Sequence, residues 1–175
     1  IQKDVVNGML TAVMAVMSQI QYALPSGVPV TMQTFAMALA GYILGWKYGL
    51  ASTAVYILLG AVGVPVFAGF SGGLSFAVSP AGGYIWGFLP MVALCGLGYE
   101  KRTMPALIGL SVAGLACCHI LGVIQLAIVT GLGPWAAFLA GSAPYLVKDL
   151  VSLAAAYAVA KAVRKALTSA GAQMA

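Results

Sequence analysis

From Thr103 to Ala160 the chain carries only two charges, Lys148 and its neighbour Asp149, in a stretch otherwise dominated by apolar residues. Soluble domains place about one charged residue in every four, so a stretch this poor in charge matches the solvent properties of a bilayer instead. The rest of the chain agrees, with 62% hydrophobic and 6% charged residues in 175. The composition predicts an integral membrane protein, a single membrane domain over residues 1–175 built of helices. The net charge of +5 is spread singly or in short clusters between apolar blocks. It forms no basic, aromatic-studded stripe, which excludes nucleic acid as a partner. Cys95, Cys117 and Cys118 sit inside apolar blocks without CxxC or Cys/His spacing. They read as small apolar fillers, not as a metal site or a disulfide framework.

Apolar blocks punctuated by Gly, Pro and charge predict six transmembrane helices, at 5–24, 31–46, 48–64, 81–97, 105–130 and 142–160. The first is too long for a signal-peptide core and has no small-x-small cleavage site, so it is expected to be retained. The second and third are short for about 30 Å of hydrocarbon and are divided only at Lys47. With a cytoplasmic start, Lys3, Lys47, Lys101, Arg102, Lys161, Arg164 and Lys165 all fall on one side, leaving Lys148 as the exception to the positive-inside rule. Both termini are then expected in the cytoplasm. The segments 25–30, 65–80 and 131–141 face outward, and the Gly/Ser-rich 65–80 is the expected cap over a cavity. No internal repeat is visible, and no GxxxxGK[ST] is present for ATP hydrolysis.

A charge left in hydrocarbon costs about 3 kcal/mol or more, so Lys148 and Asp149 mark a functional site unless they merely neutralise each other at a helix end. At a rise of 1.5 Å per residue, Asp149 lies about 18 Å from Lys161 and His119 about 21 Å from Pro105, both toward the outer side. Gln33 opens the second span and Tyr84 the fourth, also near the outer surface. Four spans therefore bring polar groups to one level. Tyr145, Lys148, Asp149 and Ser152 stand at i, i+3, i+4 and i+7 and share one face of the sixth helix, as expected of a pocket wall. Lys148 can compensate Asp149, or bind a ligand carboxylate while Asp149 accepts N–H donors. His119 and Gln33 fit a ligand contact and a helix-packing hydrogen bond equally well.

Gly69-Phe70-Ser71-Gly72-Gly73 fits GxSxG and the GxSG of rhomboid intramembrane proteases, with His119-Ile120-Leu121-Gly122 echoing their histidine and glycine. That reading makes Ser71 and His119 a nucleophile and base. The chain lacks the second histidine and the asparagine that rhomboids carry upstream of the serine, and Ser71 sits in a predicted outer loop instead of deep in the bundle. An enzyme is therefore not expected.

The runs Val28-Pro29-Val30-Thr31-Met32-Gln33-Thr34-Phe35, Gly41-x-x-x-Gly45 with Lys47-Tyr48-Gly49, Gly63-Val64-Pro65-Val66-Phe67-Ala68-Gly69 and Ser79-Pro80-Ala81-Gly82-Gly83-Tyr84 resemble the BioY family. The resemblance continues through His119-x-x-Gly122 to Pro144-Tyr145-x-x-x-Asp149. These are biotin-binding S components of energy-coupling factor (ECF) vitamin transporters. The resemblance implies an all-α, six-helix membrane protein of the bacterial or archaeal cytoplasmic membrane, with an outward-facing pocket capped by loops. It implies biotin as the transported ligand, with no cofactor or metal, and release through a coupling membrane subunit and two ABC-type ATPases. Some members work without those subunits, and a homo-oligomer is then the alternative assembly. The implied ligand contacts are Asp149 on the biotin bicycle, Ser71 at a loop position that is Asn in some members, Tyr84 of the GGY motif and Gln33 of the second-helix motif. The family pattern at the sixth helix resembles PGDxxK; here Lys148 replaces the glycine and Ser152 stands where the lysine is expected. Lys148 is the candidate to take over the lysine's job, but adjacent positions point about 100° apart on a helix, so the swap is not conservative. S components also show AxxxA on the first helix as the docking face for the coupling subunit, and Gly8-x-x-x-Ala12 is its nearest match here. The function expected is biotin uptake, with another small vitamin as the nearest alternative and a rhomboid-like protease using Ser71 and His119 as the distant one.

Overall fold

The computed structural model describes residues 2–22, 24–25 and 28–171. Ala23, Ser26 and Gly27, which belong to the end of the first predicted span and the first outward connection, lie outside the described residues. Helix α1 (Gln2–Gln19) is followed by a short antiparallel pair, β1 (Gln21–Tyr22) against β2 (Val30–Thr31), with Gln21 opposite Thr31. Then come α2 (Gln33–Ala61), a 3-10 turn (Leu74–Val78), α3 (Gly82–Glu100), α4 (Met104–Thr130), the short α5 (Pro134–Gly141) and α6 (Ala143–Ser169). The apolar helix α1 stops at Gln19 and not at Leu24, because the chain there turns into the β pair.

Helix α2 is two helices folded back on each other. At Gly45 the backbone adopts φ 78°, ψ 178°, a region open essentially to glycine alone. Its two sides then pair in antiparallel: Gln33 Nε2 donates to Tyr56 Oη at 2.8 Å, and the Thr53 hydroxyl lies 3.9 Å from Met37 Sδ. Nearest the turn, a Cβ added at Gly49 would lie 3.2 Å from the Cα of Gly41, so two glycines bring the arms into backbone contact. The arms, 33–44 and 46–61, correspond to the second and third predicted spans, with the division at Gly45 instead of Lys47. At 1.5 Å per residue they measure about 18 Å and about 24 Å.

The α2 hairpin packs on α1, α3 and α6, and α3 packs on α4. Polar pairs tie these contacts: Thr11 and Ser52 hydroxyls meet at 2.8 Å between α1 and α2, and the Tyr42 hydroxyl donates to Ser111 Oγ at 2.8 Å between α2 and α4. Glycine also sets the α3–α4 contact. A Cβ at Gly83 would lie 3.0 Å from the Cα of Gly122, and one at Gly87 would lie 2.6 Å from the Cα of Cys118. Helix α4 begins at an extended Thr103 with Pro105 in its first turn and ends at Gly131 in the left-handed conformation, the ordinary stop and start signals of a helix.

The basic residues other than Lys148 collect at one end of the bundle. There Arg164 Nη1 donates to the carbonyls of Tyr42 (3.0 Å) and Ile43 (2.7 Å), satisfying the C-terminal end of the first α2 arm. The Glu100 carboxylate accepts the Trp46 N–H (3.1 Å) at the start of the second arm. Lys3 stands over the Tyr48 ring and Arg164 over that of Tyr99.

Candidate functional site

At the opposite end lies a cavity of about 470 Å³, in the range of small-molecule sites. The helix starts of α2, α3 and α6 and the middle of α4 surround it, with residues 67–81 across its mouth. Phe67, Phe76, Ile85 and Phe88 give it apolar walls, and the Phe67 and Phe76 rings stand 4.8 Å apart.

Two glutamines hold the covering segment in place. Gln19, at the end of α1, donates from Nε2 to the Phe67 carbonyl (2.9 Å) and accepts the Phe70 N–H (2.8 Å). Between these contacts the chain turns through left-handed Gly69 and Phe70, and the Phe67 N–H donates to the Ser71 carbonyl. Gln125 of α4 donates to the carbonyls of Ala77 and Ser79, each at 2.8 Å, at the end of the 3-10 turn. Bilayer-adjacent loops need their backbone groups satisfied, and these side chains do it.

The polar side of the cavity is one connected chain. The Tyr84 hydroxyl donates to the Gly141 carbonyl (2.5 Å) and lies 3.1 Å from Ser142 Oγ. Ser142 Oγ lies 2.8 Å from His119 Nδ1, and His119 Nε2 lies 2.9 Å from Asp149 Oδ2. With Nε2 carrying the proton, His119 donates to the carboxylate and accepts from Ser142. Lys148 Nζ is 2.6 Å from Asp149 Oδ1 and donates to the Thr31 carbonyl at 2.7 Å. The carboxylate is thus engaged on both oxygens, by His119 on Oδ2 and by the Lys148 ammonium on Oδ1. The Tyr145 hydroxyl donates to the Val28 carbonyl. Helix α6 thus grips the connection between α1 and α2 at two points.

Asp149, Lys148, Tyr145, Gln33, Ser71, Tyr84 and His119 all line the cavity, whereas Ser152 is buried on α6 and does not. The expected 100° separation of Lys148 from Asp149 is bridged by the lysine stem: the Asp149 side chain is 5% exposed and that of Lys148 28%, yet their charged ends meet. Gln33 is already committed, since it donates to Tyr56 and its Oε1 accepts from Thr31. Tyr84 sits where it does because Gly122 and Gly141 leave room for its ring; a Cβ at either would run into it. The pairing of Ser71 with His119 is not favoured. The Ser71 hydroxyl donates to the Ala68 carbonyl, and both His119 nitrogens are engaged by Ser142 and Asp149.

The sequence reading did not find Ser142, Gln19 or Gln125. Ser142 is fully buried and holds His119 in register. Its signal was a serine beside the helix-starting Ala143-Pro144, next to a Gly that makes room for Tyr84. Replacing it by Ala leaves His119 Nδ1 with no partner that water can supply, a loss of about 1 to 2 kcal/mol. Ser142→Ala is therefore expected to lower the unfolding free energy by about that amount, seen in thermal unfolding, and to weaken ligand binding by isothermal titration through the loosened His119.

The model of the BioY family matches residues 1–169. A probable biotin transporter BioY of Pyrococcus horikoshii is 42% identical over 135 residues, 77% of this chain and 79% of that protein. The biotin transporter BioY of Thermotoga maritima is 39% identical over 160 residues, 90% of this chain and 93% of that one. Among solved structures, the S-component for biotin from an ECF-type ABC transporter superposes with a TM-score of 0.83, covering 93% of this chain and 90% of that one. At 22% identity that likeness is one of fold.

Proposed function

The chain belongs to the BioY family, and we propose that it captures biotin in this cavity for uptake across the cytoplasmic membrane, as the substrate-binding component of an ECF-type transporter. The observation that carries the reading is Asp149: a buried carboxylate on the cavity wall, fixed by His119 on one oxygen and charge-balanced by Lys148 on the other. Each carboxylate oxygen keeps a further lone pair, with which it can accept a ureido N–H without bringing in another charge. The phenylalanine walls suit a thioether ring and an alkyl chain. Lys148, the more exposed of the pair, balances the Asp149 charge and offers its ammonium to a ligand carboxylate. Ser71, whose hydroxyl hydrogen is spent on Ala68, offers lone pairs at the mouth.

The positive-inside rule places the basic end and both termini in the cytoplasm, so the cavity faces outward. Without a P-loop in this sequence, active transport takes its energy from partner subunits or an ion gradient; the family membership favours the first, a coupling membrane subunit and two ABC-type ATPases of a bacterium or archaeon. The docking face proposed for the coupling subunit is on α1. Gly8 and Ala12 are both exposed there, and a Cβ at Gly8 would meet nothing within 4 Å. The test is uptake of labelled biotin by cells lacking their own biotin transporter, expressing this chain with and without ECF partner subunits. Accumulation above the empty-vector control, competed by unlabelled biotin, is expected. Background uptake in both arms, with the protein present in the membrane, would overturn the proposal.

A further inference from the structure

A second cavity, of about 310 Å³, opens at the basic end between the turn joining α3 to α4 and the inward part of α6. Two arginines line it, Arg102 and Arg164, together with Tyr99 and Tyr157, and no acidic side chain does. Arg164 is fixed by its two bonds to the α2 carbonyls, with its guanidinium carbon 4.7 Å from the centre of the Tyr99 ring. Arg102 is exposed and sits in the left-handed conformation at φ 55°, at the turn where the chain leaves α3 for α4. The gap exists because α4 and α6 scarcely touch, whereas α3 and α4 close on each other at Gly98, where a Cβ would lie 3.2 Å from the Ala106 carbonyl oxygen. From the cavity an exposed apolar line runs along α4 through Met104, Ile108 and Val112, spaced four residues apart.

We propose that this cavity binds the phosphate of an anionic phospholipid, the phosphodiester lying between Arg102 and Arg164 and an acyl chain following the Met104, Ile108, Val112 line. Two guanidinium groups on one cavity attract an oxyanion, and Arg matches phosphate in a planar, two-pronged geometry. Basic pockets between membrane helices on the cytoplasmic side are suited to lipid headgroups. The apolar line favours a lipid over a free anion, since it offers contact area that inorganic phosphate cannot use. The site is far from the outer cavity and shares no residue with it.

The test uses the full chain, delipidated in detergent and titrated with phosphatidylglycerol in mixed micelles, with adducts counted by native mass spectrometry. One retained lipid per chain is expected, and Arg102→Gln is expected to weaken its binding roughly tenfold. Lys101→Gln, which removes a neighbouring charge that does not line the cavity, is expected to leave it within about twofold, as a screened surface charge does. Arg164→Lys serves as the second variant, because it keeps a charge near the α2 carbonyls while losing the planar fork. Inorganic phosphate added in excess is expected not to displace the lipid. Equal losses in Arg102→Gln and Lys101→Gln would overturn the proposal, as would displacement of the lipid by phosphate. Absence of any lipid adduct would also overturn it and assign the two arginines to an acidic surface of a protein partner.

Discussion

Asp149→Asn is expected to weaken ligand binding by about 2 to 5 kcal/mol, roughly thirtyfold to several thousandfold, while leaving the helices folded. The side chain is almost fully buried and at the centre of the polar chain, with His119 on one oxygen and Lys148 on the other. Asparagine keeps the shape but gives up the charge, and one end of its amide is a donor where the site needs an acceptor. The Lys148 ammonium then stands beside the cavity without its counter-charge, which is costly for a cation only 28% exposed. Lys148→Met makes the informative contrast. Asp149 keeps its bond to His119 there, so a smaller loss is expected, concentrated in ligands that carry a carboxylate. Isothermal titration of each variant against biotin and biotin methyl ester separates the two roles. Wild-type affinity in Asp149→Asn would remove this residue from the site.

Gly45→Ala is expected to lower stability by about 3 kcal/mol or more, the largest effect of any conservative substitution considered in the bundle. An L-residue at φ 78°, ψ 178° carries about 1 to 3 kcal/mol of backbone strain. The added Cβ would also collide with the Glu100 carboxylate, which caps the second arm by accepting the Trp46 N–H. Both helices of the hairpin depend on that turn, so the damage is not local: at the far end Gln33, which lines the ligand cavity, is held by Tyr56. Thermal unfolding in detergent checks this, with Gly8→Ala as the control. Gly8 is helical and a Cβ there meets nothing, so Ala is expected to be neutral or mildly stabilising. Similar melting temperatures for Gly45→Ala and the wild type would show that the hairpin turn tolerates an ordinary residue.

The contrast between these two sites shows what the sequence made legible. The six apolar blocks, their order and the gathering of basic residues at one end follow from hydrocarbon's intolerance of charge, and they could be read directly from Lys3 to Lys165. The turn at Gly45 was visible only as a short pair of spans, because a positive-φ glycine and a packing glycine look alike in sequence: Gly41, Gly45 and Gly49 recur at the same spacing and only one of them is the turn. In the site, the shared face of Tyr145, Lys148 and Asp149 was legible from helical periodicity. The meeting of Lys148 with Asp149 was not, because periodicity gives the direction of a Cβ and says nothing of where a four-carbon stem ends. Ser142, Gln19 and Gln125 escaped for another reason. Each satisfies a partner distant in sequence, His119, the Phe67 to Phe70 turn and the end of the 3-10 turn, and such pairings exist only once the helices have docked.

The central claim is that the outer cavity holds biotin, and the contents of the protein itself test it most directly. The chain is purified from cells grown with a mixture of vitamins, denatured to release what it carries, and the released small molecules are identified by mass spectrometry, with a parallel sample exchanged against labelled biotin. Biotin is expected in near-equal amount to protein, exchanging with the labelled form and absent from the Asp149→Asn preparation. Recovery of a different vitamin that added biotin does not displace would contradict the account.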